Sequence, residues 1–497
     1  MSDLKHTAAK PTMEDIKVDD KFTENADAAA FAAATTVISP EEERQYLRKL
    51  DIRLVSLLSA IYLCSFLDRS NIGNAKTAGM SASLGLTNSQ FSWLLTIFYI
   101  PYILFEWCTL LWKVFPANYY VCAVVFLWGM VSALQSLTHN WASMMTLRFF
   151  LGVAEAAYGP GVPFFLSFFY HRHEMAFRSG LFFSSAPLAS AFAGALAYGI
   201  TSGQSKLQSW RLLFLVEGIP TMLIAVVALF FLPRSAPEAR FFNAREKEIA
   251  VARLARQTGK TSKKLGLNMK QIVEAIMEPR SWIIAFMFFC VNVSFSSLSV
   301  FMPSIITSMG YTAVHAQGMS APPYVLAWIS VIAMTFAAAK FNIRSALIIP
   351  FSIIGAVGYL ILAIVKHTGV RYFALYLCAV GMFTTVGVIM PWSVDNQGTD
   401  SKKGTGMFLL NLVGQCGPLL GTRLFPANEG PYYRNGMWVC CGCLLAVTIL
   451  TVVLRYHLRY LNHKLDKRWG PVESQTVEQL DEVGVEREFN PIYRYIL

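Results

Sequence analysis

Four charged residues lie inside strongly apolar stretches of the sequence: Asp68 and Arg69 in LCSFLDRSNIGNA, and Arg148 and Glu155 in MMTLRFFLGVAEAAYGPG. A charge at the depth of a lipid bilayer costs about 2.5 to 3.5 kcal/mol on insertion scales, so it persists mainly where it faces a polar cavity or a partner. An arginine stays charged and presents a planar fork of five donors, which suits a carboxylate ligand. A carboxyl group in a cavity of low dielectric can take up and release protons near neutral pH. The four residues therefore mark a predicted transport pathway.

The spacing of the second pair predicts where its side chains point. Arg148 and Glu155 are seven residues apart, which in an α-helix is about two turns and roughly 10 Å along one face. Both can therefore point into the same interior. Direct contact needs a closer spacing, so each is expected to have another partner.

The elements that position these residues are apolar runs of transmembrane length. The chain has 497 residues, of which 55% are hydrophobic and 15% charged, and its mean hydropathy is +0.44. A helix needs about 20 apolar residues to cross the hydrocarbon layer. Six such runs cover about residues 52–70, 91–111, 119–137, 141–165, 179–201 and 211–232, and six more cover about residues 282–307, 323–339, 347–365, 371–392, 404–420 and 437–454. The pattern predicts an all-α polytopic membrane protein with twelve transmembrane helices.

A polar, basic segment divides the twelve runs into two sets of six, with a helical stretch at about 244–256 inside it. Glu and Lys or Arg recur at helical spacings in this stretch. The predicted organisation is a disordered N-terminal tail at 1–43, a six-helix bundle at 44–232, a linker at 233–280, a second six-helix bundle at 281–456 and a C-terminal tail at 457–497. The last residues of that tail, NPIYRYIL, are unusually aromatic for a disordered segment.

The basic residues predict the orientation and explain the formal charge of +11. Placing both termini and the linker in the cytoplasm gives that side about four times as many basic residues as the other, as the positive-inside rule requires. The bases flank apolar runs and form no separate basic domain, so a nucleic-acid partner is not predicted. No secretory signal peptide is visible, and the first helix is expected to direct its own insertion.

Signals for an enzyme, a metal or a cofactor are weak. Most of the nine cysteines lie in apolar runs, where thiols behave as small hydrophobes. The clustered Cys440, Cys441 and Cys443 have metal binding or palmitoylation as alternatives to packing. His171 and His173 lie in a short basic loop without a complementary ligand set. No phosphate-binding loop of the GxxxxGK[ST] type occurs, which leaves an ion gradient as the expected energy source.

Several segments together resemble a known transporter family. These segments are LDRSNIGNAK, RFFLGVAEAAYGPGVPFFLSFFY followed by HRHEMAFRSG, and WRLLFLVEGIPT followed by LPRSAPEARFF. They resemble the major facilitator superfamily and, more narrowly, the fungal allantoate and nicotinate permease-like branch of the anion:cation symporter family. The resemblance covers about residues 44–470.

The resemblance implies a fold of two six-helix bundles and a role for each buried charge. It assigns Arg69 to the substrate anion, Asp68 and Glu155 to proton coupling, and Arg148 to an ion pair with those acids. Glu106 joins Arg148 in an ion-pair or gating group. The alternative for all five residues is a static network that holds helices together.

The sequence also departs from the family pattern. Glu106-Trp107-Cys108-Thr109 stands where a Pro-Ser-Asn segment commonly follows the glutamate, and Phe66 replaces a frequent tyrosine. The acidic gate segment between helices eight and nine is reduced to KFNIRS, which keeps Arg344 but has no aspartate. The substrate of a family member therefore cannot be assigned to this protein from the resemblance.

Polar residues in the second half are candidates to complete a binding site. Asn292 in the seventh run, and Asn411 and Gln415 in the eleventh, interrupt apolar stretches. Their amides can bond a ligand or a neighbouring helix, and helix-helix bonding is the alternative. Asn411 and Gln415 are one turn apart on one face, which makes them the better candidates.

The predicted function is uptake of a small organic anion, such as a carboxylate or a vitamin-like acid, by proton symport with alternating access. The expected partners are the anion, protons and the bilayer, and no cofactor is expected. We expect a monomer in a fungal plasma membrane. Efflux of an acidic metabolite and a transport-inactive nutrient sensor are the alternatives.

Overall fold

The computed structural model describes residues 38–258, 269–397, 400–470 and 494–497, and every regular element in these ranges is helical. Twelve helices, each overlapping one predicted apolar run, are numbered α1 to α12. The first six are α1 Pro40–Thr77, α2 Asn88–Leu104, α3 Ala117–Gln135, α4 Trp141–Glu155, α5 Arg172–Ser202 and α6 Ser209–Phe231. The second six are α7 Pro279–Ser308, α8 Ala313–Phe341, α9 Ser345–Ile364, α10 Thr368–Asp395, α11 Asp400–Gly414 and α12 Arg434–Trp469.

In the described part of the chain, nine helices are long and apolar enough to cross a membrane: α1, α3, α5 to α10 and α12. The other three are interrupted. The helix α2 ends at Leu104 and is followed by the 3₁₀ segment Glu106–Lys113, and α11 ends at Gly414 before the short helix Gly417–Gly421. The helix α4 ends at Glu155 before a turn at Gly159-Pro160, because proline removes a backbone donor and glycine is a weak helix former.

Successive helices run in opposite directions, which defines two faces of the molecule. We call the face where α1 begins and α12 ends the terminal face, and the other the opposite face. The helix α1 begins at Pro40, within the range predicted to be a tail, because Ser39 and Glu42 form a capping box. Residues 1–37 of the predicted tail lie outside the described residues.

The predicted helical stretch of the linker is helix Ala244–Thr258, called the linker helix, and it contacts the terminal face of α1 and α5. Lys49 pairs with Glu246 at 2.8 Å. Arg253 pairs with Glu174 at 2.6 Å and also with Glu43. Charged contacts therefore hold the start of the linker against the first six helices.

We expect Arg253→Met to lower the thermal stability of the detergent-solubilised protein. The Arg253 side chain is 4% exposed and that of Glu174 is 8% exposed. Removing one partner of a buried pair leaves a buried charge and costs about 3 kcal/mol. The matched control is Arg44→Met, since the Arg44–Glu41 pair is 3.7 Å apart and exposed, and such pairs contribute about 0 to 1 kcal/mol. Equal melting temperatures of the two variants would contradict the expectation.

The last four residues, 494–497, pack against the terminal face of the second half, unlike the disordered tail that was expected. The carbonyl of Ile496 accepts hydrogen bonds from Trp392 Nε1 at 2.8 Å and Asn396 Nδ2 at 3.0 Å. Arg494 pairs with Asp466 at 2.7 Å, and the guanidinium of Arg280 lies 4.8 Å from the ring centre of Tyr495. The aromatic and basic residues of this segment give it contacts that composition alone did not predict.

Arg344 has an acidic partner although its own segment contains none. Its Nη2 lies 3.0 Å from Asp395 Oδ2, at the end of α10. Asp395 of α10 therefore provides the acidic partner that the segment between α8 and α9 does not contain. This ion pair joins the loop before α9 to α10 at the terminal face.

Candidate functional site

A cavity lies between the first six and the second six helices, next to the breaks in α4 and α11. Its lining includes Arg69, Asn292, Asn411 and Gln415, which are the four residues predicted to bind substrate. The other lining residues are Tyr62, Tyr99, Tyr102, Gly159, Pro160, Phe183, Phe288, Phe295, Val386, Met390 and Pro418. Its volume is about 50 Å³, whereas a cavity of roughly 150 Å³ holds benzene. An aromatic solute would therefore need the lining to move apart.

Arg69 projects from α1 into this cavity. Its Nη2 donates to Glu155 Oε2 at 3.0 Å, while its Nε is buried without a hydrogen-bond partner. The guanidinium carbon lies 4.9 Å from the ring centre of Tyr102 and 5.0 Å from that of Phe98. Cation–π contacts of this kind hold the planar guanidinium in place. The arginine is thus fixed in position and still has an unused donor.

Glu155 is fully buried at the end of α4 and contacts α1 in two ways. Its Oε2 accepts from Arg69 and from Ser65 Oγ at 3.0 Å, and its Oε1 has no partner. The spacing argument had excluded direct contact with Arg148 and required another partner. For Glu155 that partner is Arg69.

Asp68 points away from the cavity. Consecutive residues of a helix are about 100° apart, so Asp68 and Arg69 face different neighbours. Asp68 Oδ1 accepts from Ser132 Oγ on α3 at 2.5 Å, and Oδ2 accepts from Thr221 Oγ1 on α6 at 3.3 Å. The side chain therefore lies inside the first six helices, between α1, α3 and α6.

The ion pair predicted for Arg148 is not formed. Its Nε and Nη2 are buried without hydrogen-bond partners, and among the described residues no carboxylate lies within 4 Å of it. Of the two predicted acids, Glu155 pairs with Arg69, and Asp68 accepts hydrogen bonds from hydroxyl groups. The guanidinium carbon of Arg148 lies 5.9 Å from the ring centre of Phe214 on α6.

Glu106 also lacks the predicted ion-pair partner. It begins the 3₁₀ segment after α2, is 3% exposed, and its Oε2 has no hydrogen-bond partner. It is not among the residues that line the cavity. No salt bridge to Glu106 occurs among the residues that the structure describes.

The amides of the second half differ in what they bond. Asn292 Nδ2 donates to the carbonyl of Gly414 at 3.2 Å, which is the helix-helix alternative. The side chains of Asn411 and Gln415 make no hydrogen bond within the described ranges, and both line the cavity. Their donors and acceptors therefore remain available to a ligand.

Sequence reasoning missed the aromatic side chains of the site and one acid. Tyr99 and Tyr102 stand three residues apart on α2, a helical spacing that was a usable signal. Glu217 is fully buried on α6 and lies in the segment WRLLFLVEGIPT that supported the family resemblance, but no role was assigned to it. In the described residues, no group of three or more His, Cys, Asp or Glu side chains is placed to hold a metal ion.

The cavity is sealed at the opposite face. There Gly73 of α1 touches the backbone of Val300 on α7 so closely that a Cβ would collide. Thr96 Oγ1 lies 3.3 Å from Thr422 Oγ1, and Gln317 Nε2 donates to the carbonyl of Asn74 at 3.3 Å. The hydrogen bonds that join the two sets of helices in the described chain all lie near this face. The conformation is therefore closed at the opposite face.

Comparison with known proteins identifies relatives over nearly the whole chain. A family model described as Major Facilitator Superfamily matches residues 58–422. The chain is 33% identical over 456 residues to the MFS transporter prlL of a fungal species, covering 88% of this chain and 90% of the relative. It is 30% identical over 478 residues to the high-affinity nicotinic acid transporter of Saccharomyces cerevisiae, covering 94% and 87%. The resemblance predicted from the motifs is confirmed.

Solved structures confirm the fold class. A bacterial homolog of the human lysosomal transporter Spinster, in an inward-facing and unoccupied conformation, superposes with a TM-score of 0.61 at 15% identity. It covers 80% of this chain and 95% of that chain. The proton:xylose symporter XylE superposes with a TM-score of 0.59 at 13% identity, covering 80% and 94%.

Proposed function

We propose that this chain, which belongs to the major facilitator superfamily, is a proton-coupled symporter that imports a small organic anion. The proposed ligand is a monocarboxylate attached to a flat ring, as in a vitamin-like acid. The proposed structural basis is the division of the twelve helices into bundles at 44–232 and 281–456, which rock about the central cavity.

The observation that carries this proposal is the state of Arg69. It is a fixed guanidinium in a cavity between the two sets of helices, with an unused Nε donor and a single acidic partner. Guanidinium forks bind carboxylates in a bidentate manner. The rings of Tyr102 and Phe98 beside it suit a flat, apolar ligand body, and the free amides of Asn411 and Gln415 face it from the other half.

Ligand binding and proton uptake are coupled through Glu155 in this proposal. When a ligand carboxylate takes over Arg69, Glu155 loses its guanidinium partner in a buried position. A buried carboxylate without a partner is costly, and it is neutralised by binding a proton. The empty site therefore holds an Arg69–Glu155 pair, and the loaded site holds an Arg69–ligand pair beside a protonated Glu155.

The relatives support the substrate class and the energy source. One is named a high-affinity nicotinic acid transporter, and a solved structure with the same fold is titled a proton:xylose symporter. Nicotinate is a ring carboxylate of the kind that this cavity chemistry favours. The proposed location is a fungal plasma membrane.

The deciding experiment uses purified protein in proteoliposomes with an imposed pH gradient. Radiolabelled nicotinate, other ring carboxylates, aliphatic monocarboxylates and ureides are offered as substrates, with protein-free vesicles as the control. Accumulation of a ring carboxylate that collapses with a protonophore is the expected result. Flux that is indifferent to the pH gradient would overturn the symport proposal. Outward-directed transport alone would favour efflux, and binding without flux would favour a sensor.

The terminal face is proposed to be cytoplasmic, since the basic residues concentrate there. We expect Lys247→Cys on the exposed surface of the linker helix, in a variant without native cysteines, to resist a membrane-impermeant maleimide in intact cells and to react after permeabilisation. The matched control is Lys206→Cys in the exposed loop between α5 and α6, which should react from outside. The reverse pattern would invert the topology.

A further inference from the structure

A second group of charged side chains lies inside the first six helices, outside the cavity. Glu217 on α6 is 4% exposed, and neither of its carboxyl oxygens has a hydrogen-bond partner. It interacts electrostatically with Asp68 on α1 and with Arg148 on α4. None of these three residues lines the cavity. They form what we call the inner cluster: Asp68, Arg148 and Glu217.

The packing of α6 against α3 keeps the inner cluster dry. Gly218, next to Glu217, approaches the backbone of α3 so closely that a Cβ would lie 2.6 Å from the nitrogen of Ala133. Thr221, one turn after Glu217, donates to the carbonyl of Glu217 at 2.9 Å and also reaches Asp68. The two helices therefore exclude solvent and hold Glu217 near Asp68.

The charges of the inner cluster and of the Arg69–Glu155 pair do not balance when every group is ionised. The acids of these two groups are Asp68, Glu155 and Glu217, and the guanidiniums are Arg69 and Arg148. Since Arg69 pairs with Glu155, one guanidinium remains for two carboxylates. An uncompensated buried charge costs several kcal/mol, so the inner cluster is neutral only when it holds one proton.

Hydrogen bonding indicates which acid holds that proton. Asp68 accepts from the hydroxyl of Ser132 on α3, and Thr221 on α6 shares its one hydroxyl proton between Asp68 and the carbonyl of Glu217. Hydrogen bonds donated to a carboxylate favour its ionised form. Glu217 receives none on its side chain. The other titratable group facing it is Cys64 of α1, a thiol near both acids. The proton therefore belongs on Glu217.

We propose that Glu217 is a second proton-binding site of the transport cycle, separate from Glu155. The proposal rests on the proposed symport function. In the conformation described here Glu217 is neutral, and Arg148 compensates Asp68 at a distance. The proton on Glu217 in this conformation, which is closed at the opposite face, is one bound from outside. When α4 and α6 rearrange, the unpartnered Nε and Nη2 of Arg148 pair with Glu217, and its proton leaves to water on the cytoplasmic side as the carboxylate forms. Glu217 binds a proton from outside again once the helices have returned, so each cycle moves one proton inward through this site.

If two protons enter with one monovalent anion, each cycle moves one net positive charge inward and transport is electrogenic. If only one proton enters with the anion, no net charge moves and transport is electroneutral. The test is Glu217→Gln in proteoliposomes, with radiolabelled nicotinate as the probe. Wild-type uptake should rise several-fold when a potassium diffusion potential makes the interior negative. We expect Glu217→Gln to retain counterflow and uptake driven by the pH gradient, and to lose the response to the potential.

The outcomes separate this inference from the proposed function. Uptake by the wild-type protein that does not depend on the pH gradient would contradict the symport proposal. A Glu217→Gln variant that responds to the potential like wild type would overturn the second site alone. Loss of counterflow in a folded Glu217→Gln protein would assign the residue to structure and would also overturn the inference. If Glu217→Gln does not fold, Glu217→Asp takes its place in the test. This variant keeps an acid at the position, so it should keep the response to the potential, and loss of that response would contradict the inference.

An infrared measurement tests the bound proton without any transport. Ligand-free wild-type protein should show the carbonyl stretch of protonated carboxylic acids. Glu217→Gln should lose one component of this band, while the component of Glu106, which is also buried without an ion-pair partner, should remain. The control is Glu248→Gln, which changes an exposed acid of the linker helix and should keep the band. A band of unchanged shape and intensity in Glu217→Gln would show that Glu217 does not hold the proton.

Discussion

Replacing Arg69 by alanine is expected to weaken binding of a ring carboxylate by about 30-fold or more. Truncating one partner of a buried, hydrogen-bonded charge pair costs about 2 to 5 kcal/mol, and each 1.4 kcal/mol is about tenfold in affinity. The guanidinium of Arg69 lies in the cavity, and its contacts with the rings of Tyr102 and Phe98 hold it in position. Equilibrium binding of radiolabelled nicotinate to purified protein measures the effect.

Arg69→Lys separates geometry from charge. A lysine keeps the positive charge but loses the planar fork, so affinity should remain well below that of the wild type. The matched control is Arg234→Ala, an exposed arginine near Asn118 and Tyr119, which should leave binding unchanged. Near-normal affinity in Arg69→Lys would mean that only the charge matters. Unchanged affinity in Arg69→Ala would remove Arg69 from the site.

Arg69→Ala also leaves Glu155 buried without its partner, so a loss of binding needs a folding control. The double variant Arg69→Ala with Glu155→Gln removes both charges together. We expect it to regain the melting temperature lost by Arg69→Ala while remaining unable to bind the anion. Recovery of binding in the double variant would assign the defect to the stranded carboxylate.

Glu155→Gln is expected to separate exchange from accumulation. Glutamine resembles the protonated acid, so the variant imitates a site that permanently holds its proton. Substrate should still bind Arg69 and exchange across the membrane, and counterflow should stay within about threefold of wild type. Accumulation driven by a pH gradient should fall to the level of protein-free vesicles, because no proton can be released. Both activities are measured in the same vesicles.

Either of two other results would contradict this role. Loss of counterflow and accumulation in a folded Glu155→Gln protein would mean that the residue supports structure or binding. Retained accumulation would place the coupling acid elsewhere. Asp68→Asn is the informative comparison, since Asp68 bonds Ser132 and Thr221 and does not line the cavity. If Asp68→Asn shows the same defect as Glu155→Gln, with counterflow retained and accumulation lost, the two acids share the proton coupling.

The sequence alone predicted the twelve helical runs and the residues that meet in the cavity. A transmembrane helix is encoded locally, because about 20 apolar residues must satisfy their backbone within one segment. A polar or charged residue in such a run is visible without any partner. For this reason Arg69, Asn292, Asn411 and Gln415 were found before any geometry was known, and all four line one cavity.

Tertiary structure alone decided which charges meet. Neighbours in sequence such as Asp68 and Arg69 diverge on a helix, while Arg69 and Glu155 pair across two helices. Arg344 finds its acid on α10, and Arg148 finds none within bonding distance in the described chain. These pairings depend on helix rotation and on how closely glycines let helices approach, which are non-local properties. The sequence by itself thus determined the elements and the candidate residues, and packing determined their partners.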